Sequence, residues 1–183
     1  MMNEVKNTTD CSDIPCLFCN TGVTFITGVP DSALGRLIME LEEAELNRGY
    51  ILATREDNAI ALAVGAYLAG EQPLVFMKSA GFGNAIDVLT SLAIVYGIPL
   101  VLLIGWAGYK GRDVPHHNII GEPLLPLLDT LNMPSIEIGL TDSAEAIASA
   151  IREAITLANA IKRPVAVLGI PKELSEETHD DKR

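Results

Sequence analysis

Basic side chains are scarce: 13 Lys and Arg stand against 24 Asp and Glu, for a net charge of −11. Such a surface repels phosphate backbones and offers no cationic stripe, so nucleic acid is set aside as a ligand. A small anionic substrate stays open, because a few local cations can dominate a cleft whatever the global charge. Cysteine is nearly absent too. Cys11, Cys16 and Cys19 fall in a C-x4-C-x2-C spacing similar to the opening of a plant-type iron–sulfur run, but there is no fourth cysteine and no nearby histidine. Reduced thiols, mostly buried in a first helix, are expected in place of a metal centre. The opening residues MMNEVKNTTD lack an apolar stretch and a basic start, so no secretory signal and a cytoplasmic location are expected. No GxxxxGK(S/T) occurs, which removes support for a nucleotide triphosphatase. Charge is also missing from residues 88–109, a run long enough to span a bilayer. Gly97-Ile98-Pro99 divides that run into a helix ending near Tyr96 and a strand over 100–104, so a membrane span is not expected.

What the chain has in quantity is apolar surface: 49% hydrophobic residues and a mean hydropathy of +0.29. That suits a parallel sheet covered on both faces, or a face buried by a partner. The 183 residues fit one domain over 1–172, followed by a charge-dense tail at 173–183. Short β-rich runs alternate with helical periods, the pattern of an open, mainly parallel six-stranded α/β sheet with helices on both faces. Strands are expected at 23–27, 50–53, 74–77, 100–104, 135–138 and 165–168. Helices are expected at 14–20, 32–47, 56–70, 83–96, 121–132 and 142–162.

In such sheets ligands sit outside the carboxyl ends of the strands, and four segments there carry unusual residues. Glu56 opens a helix whose continuation is small or apolar, expected to be buried on most faces; a carboxylate there needs a partner. The plain alternative is that Glu56 and Asp57 favour the positive helix end, worth about 0.3–1 kcal/mol. KSAGFGN, 78–84, has glycines that let backbone approach a flat or anionic ligand, or simply make a tight strand-to-helix turn. His116 and His117 lie in a segment read as a loop, where they serve as exposed residues, as a proton shuttle or, less suitably when adjacent, as metal ligands. Asp31 in GVPDS is ordinary turn and N-cap chemistry, or a second carboxylate at the same edge.

GVPDSALGRLI, TREDNAIALAVGAYLAG, VFMKSAGFGNAIDVLTSLAIVYGIPLVLLIGW and DVPHHNIIGEPLLPLLDTL occur in that order over about residues 22–172. Together they resemble the pyrimidine-binding domain of the sulfopyruvate and phosphonopyruvate decarboxylases, thiamine diphosphate enzymes. The resemblance implies that Glu56 hydrogen-bonds N1′ of the cofactor's aminopyrimidine, favouring the imino tautomer that takes the thiazolium proton. It implies that Pro30, Gly81, Phe82 and Asn84 line the aminopyrimidine site, and that Asp31 and His117 face the substrate and deliver protons. His116 stands where the phosphonopyruvate enzymes often carry glutamine, and Ala107 where many relatives have arginine; Lys110, Arg112, Lys78 or Arg55 is then needed to supply a cation. The family holds Mg2+ and diphosphate through a GDG sequence that this chain lacks, so this chain provides no metal ligand. The resemblance thus implies an α subunit completed by a diphosphate-binding β subunit, in an α2β2 or larger assembly that decarboxylates a small anionic 2-oxo acid. A carboligase subunit and a noncatalytic regulatory subunit are the alternatives.

Overall fold

β-branched and leucine runs long enough for one strand each, punctuated by proline and glycine, build the centre of this molecule. The structure, a computed structural model, describes residues 18, 20–35, 38 and 50–171. The strands are β1 Phe25–Gly28, β2 Tyr50–Leu52, β3 Pro73–Lys78, β4 Val101–Gly105, β5 Ser135–Gly139 and β6 Val165–Ile170. They form one six-stranded sheet in the order β2-β1-β3-β4-β6-β5, every neighbouring pair parallel. The open parallel α/β sheet expected from the sequence is the one found.

β3, β4 and β6 are buried along almost their whole length, as strands covered on both faces must be. Alternation sends their side chains to two separate cores. Val75, Met77, Leu102, Ile104, Ala166 and Leu168 pack on one side. Leu74, Phe76, Val101, Leu103, Val165 and Val167 pack on the other. Edge strands β2 and β5 are largely exposed.

The helices are α1 Glu56–Leu68, α2 Phe82–Val88, α3 Pro115–Gly121, α4 Leu124–Thr130 and α5 Ala144–Ile161. α2 runs on into a π-helical turn, Leu89–Ile94, where the Thr90 hydroxyl donates back to the Ile86 and Asp87 carbonyls at 2.9 and 3.0 Å. Gly97, at φ +66°, ends it.

Three expectations need correction. The histidine segment is helical, because Pro115 at the first turn pre-sets the helical φ. The helix expected at 121–132 begins only at Leu124: Gly121 ends α3, and Pro123, which has no N–H to continue the ladder, separates the two. α1 buries Ala59, Ile60, Ala63 and Val64, yet leaves Ala61, Leu62, Gly65 and Leu68 exposed, so it is covered on one face only. The helix expected at 14–20, most of that at 32–47, the cysteines and the tail at 173–183 lie outside the described residues.

β1 connects outward to β2, while β3 lies on its other side. The chain therefore changes direction between β1 and β3, and a crevice opens beyond their carboxyl ends.

Candidate active site

Three segments reach that crevice: the turn after β1, the start of α1 after β2, and the turn after β3. Glu56 begins α1 and is half-buried. Its Oε2 accepts a hydrogen bond from Asn84 Nδ2 at 2.9 Å. Its Oε1 lies over Gly81, so close that a Cβ there would collide with it and would come within 2.5 Å of Cδ and 2.7 Å of Cγ. Gly81 is therefore the floor on which the carboxylate rests. Asn84 is exposed, whereas the Phe82 ring belongs to the core, so only its backbone is available to a ligand.

The turn Ser79–Gly81 is anchored from below. The buried Ser79 hydroxyl donates to Ala107 O at 3.2 Å and accepts from Ala107 N–H at 3.1 Å. Lys78, the last residue of β3, pairs through Nζ with Asp31 Oδ1 at 3.2 Å. Segment 78–84 thus touches Asp31, the turn after β4, and Glu56. Asp31 is not open to solvent: its side chain is fully buried, and its Oδ2 occupies the space a Cβ on Gly105 would need. Pro30 is exposed in the turn after β1.

α3 carries the histidines and packs against the Ser79–Gly81 turn. Glycines let it come that close. A Cβ at Gly108 would strike the His117 carbonyl, and one at Gly121 would strike the Ala107 carbonyl. The indole N–H of Trp106 donates to Gly121 O at 3.0 Å and fastens the far end. Asp113 fastens the near end: Oδ1 accepts from Val114 N–H at 2.7 Å and Oδ2 from Gly108 N–H at 3.0 Å. The Val114 N–H, His117 and the Gly108 N–H hold the Asp113 carboxyl down at about 2, from an ordinary 3.8, against a smaller opposing effect of burial. His117 Nδ1 lies 3.0 Å from Asp113 Oδ1, a contact that falls short of hydrogen-bond geometry and is an ion pair only with a protonated imidazole. The His117 ring is half-buried and the His116 ring exposed, edge to face with centroids 4.3 Å apart.

The other candidate cations are placed differently. Arg55 is forked onto Asp57, with three contacts between 3.1 and 3.2 Å, and holds the Asp57 carboxyl below its usual range. Lys110 lies 4.9 Å from the Tyr109 ring centroid, beside a cleft of about 560 Å³ that Trp106, Asn118 and Leu125 also line and Glu56 does not. Among the described residues no three His, Cys, Asp or Glu side chains gather as a metal site. No described helix is long and apolar enough to cross a membrane.

Sequence reasoning missed Ser79, Asp113 and the pairing of Lys78 with Asp31. The density of glycines at 105, 108, 111 and 121 was the available signal that backbones meet closely there.

The arrangement offers a carboxylate steadied on one oxygen by an amide and seated on a glycine, a group able to hold or pass a proton at the crevice. A profile of the family described as "Thiamine pyrophosphate enzyme, N-terminal TPP binding domain" matches residues 17–123. The sulfopyruvate decarboxylase subunit alpha of Methanocaldococcus jannaschii is 32% identical over 149 residues, which are 81% of this chain and 86% of that protein. The phosphonopyruvate decarboxylase of Streptomyces viridochromogenes is 35% identical over 123 residues, 67% of this chain but 31% of that protein. A solved structure of a putative thiamin diphosphate-dependent enzyme from Mycobacterium smegmatis superposes with a TM-score of 0.61 at 23% identity, over 88% of this chain and 31% of that one. The chain therefore spans most of the methanogen subunit and about a third of the other two.

Proposed function

Because the chain belongs to the thiamine pyrophosphate enzymes through their N-terminal TPP binding domain, we propose that it is the α subunit of a thiamine diphosphate-dependent decarboxylase of 3-sulfopyruvate or 3-phosphonopyruvate. A separate β subunit holds the diphosphate and Mg2+. The observation that carries this reading is the Glu56 carboxylate, bonded by Asn84 and seated on Gly81 at the crevice where the sheet changes direction.

Bound thiamine diphosphate supplies the electron sink that lets carbon dioxide leave a 2-oxo acid. This chain's part is positioning and proton handling. Glu56 holds a proton at N1′ of the aminopyrimidine, and Asn84 fixes the direction of its carboxylate. Gly81 leaves the Glu56 carboxylate the space it needs, and Pro30 stands exposed in the turn after β1 to meet the ring. His117, whose Nδ1 lies 3.0 Å from Asp113 Oδ1, presents Nε2 as the site of proton delivery, with His116 against it and Asp31 as a second proton carrier.

Two observations favour the sulfonate substrate. The resemblance to the methanogen subunit runs nearly its full length. In this chain Arg55 and Lys78 are already balanced by Asp57 and Asp31, which suits a group of one negative charge better than a phosphonate of up to two. The groove beside α1, about 680 Å³ and lined by Phe25, Ile51, Asn58, Ala61, Leu62, Gly65 and Ala66, begins within the first turn of the helix that Glu56 opens. It supports a partner chain lying over that helix.

The test is decarboxylation of both oxo acids by this chain assembled with a diphosphate-binding partner, with and without thiamine diphosphate and Mg2+. Cofactor-dependent turnover that Glu56→Gln lowers by about a hundredfold or more supports the reading. Full activity in the Glu56→Gln complex would assign the chain a noncatalytic role, and product formed only with an added acceptor would assign carboligation.

A further inference from the structure

β3 and β4 pair with Lys78 opposite Gly105, so the turns that follow them leave the sheet side by side. One buried hydroxyl joins those turns. Ser79 is 0% exposed. Its Oγ donates to Ala107 O at 3.2 Å and accepts from the Ala107 N–H at 3.1 Å, an N–H shared with Gly105 O at 3.0 Å. From Ser79 the contacts run two ways. Its carbonyl accepts the Phe82 N–H at the start of α2; two residues on, Gly81 lies under Glu56 Oε1, and Asn84 donates to Oε2 at 2.9 Å. In the other direction, the Ala107 carbonyl lies against Gly121 and Gly108 lies against the His117 carbonyl, each so close that a Cβ would collide. The seat of Glu56 and the close approaches of α3 thus lead back to a single side chain. Serine is the smallest residue whose side chain both donates and accepts. Removing its hydroxyl from a buried site leaves the peptide it grips without that partner.

Resting on the reaction proposed above, we propose that Ser79 is a positioning residue that fixes the spacing between Glu56 on one turn and His117 on the helix held by the other. Ser79 touches no reacting atom, because it is sealed beneath the site. Its effect passes through Gly81 and Asn84 to the carboxylate, and through Ala107 and Gly108 to the histidine helix. The reaction needs protons handled at two separated points, so a small relative shift of the two turns is costly even where each turn keeps its own shape. A serine that served only to stabilise the chain would lower its thermal midpoint and leave the bound cofactor and the rate alone.

The difference is measurable in the two-chain complex with Ser79→Ala, Ser79→Cys and, as a control for lost stability alone, Val165→Ala in the core on the other side of the sheet. Cysteine fills the space of serine, which keeps the fold intact, but its thiol is a weak donor and acceptor. Both Ser79 variants are expected to lower kcat by about tenfold to a hundredfold and to weaken thiamine diphosphate binding by about tenfold, with KM for the oxo acid changing less. Val165→Ala should lower the thermal midpoint and change neither. Amide hydrogen exchange in the cofactor-free complex gives a readout apart from catalysis. Without the hydroxyl, exchange should quicken by about tenfold in residues 79–84 and 107–121 together, and in the control it should stay as it was in both. The proposal is overturned if only one of the two segments loosens, if Ser79→Cys keeps the original rate and exchange, or if the Ser79 variants lose stability with kcat and cofactor affinity unchanged. Should the unmodified complex turn over neither oxo acid, the reaction reading fails, and exchange in the two segments still upholds or overturns the coupling through Ser79.

Discussion

A methyl group at position 81 would share space with the Glu56 carboxylate. Gly81→Ala must therefore push Glu56 aside or shift the Ser79–Gly81 turn, and overpacking of this kind costs about 1–3 kcal/mol. The expected result is a modest fall in thermal stability with a fall in kcat of about a hundredfold, since a misplacement of about 1 Å at a reacting group has that effect. Calorimetric titration of thiamine diphosphate into the complex, alongside kinetics, checks it; unchanged affinity and rate would mean that Glu56 settles elsewhere. At this scale the sequence was informative where chemistry is local. Glu56 was singled out by its place at a helix start and Gly81 and Asn84 by the family resemblance, and the structure brings them into contact. Asp31 was visible as a residue, but its partner was not: Lys78 is far off along the chain, and only the parallel pairing of β1 with β3 sets them side by side.

α3 shows how an element can be misread when its cause is packing. Its seven residues are too few to hold a helix by themselves, so pattern alone suggested a loop. Contact with the turn after β4 makes the helix, through Gly108, Gly121 and the Trp106 indole, and Asp113 joins the two. Because the Asp113 carboxyl sits at about 2 in the folded chain against an ordinary 3.8, its contribution is complete above about pH 4 and is lost as the pH falls through about 2. Trp106 is the single tryptophan, so its fluorescence reports the docking of α3. Emission is expected to shift to the red between about pH 4 and 2, before the far-ultraviolet dichroism changes; in Asp113→Asn that acid step should be absent. The strands, in contrast, were legible to within two residues, because continuous apolar runs of one strand's length between proline and glycine have few other uses in a parallel sheet.

For the whole molecule, the sheet was readable and its surroundings were not. Apolar residues on α1 suggested burial on most faces, yet the helix is covered by its own chain on one side; composition records that a surface is apolar, and not which chain covers it. In the two-chain enzyme proposed above, Leu62→Glu, placed at a side chain 40% exposed, should leave the dichroism and thermal midpoint of this chain nearly unchanged while weakening its association with the partner by tenfold or more, about 1.4 kcal/mol. Sedimentation of the mixture at several concentrations measures this, and undiminished association would move the interface to another face. The turn at 78–84 has a further consequence for how such an enzyme can change. Asp31, Ala107 and Glu56 all hang from it, so a substitution that reshapes one of them disturbs the others, and selection for a new oxo acid meets correlated losses on this side of the crevice. Adaptation to other substrates should therefore accumulate in the partner chain, with this half inherited as a fixed block.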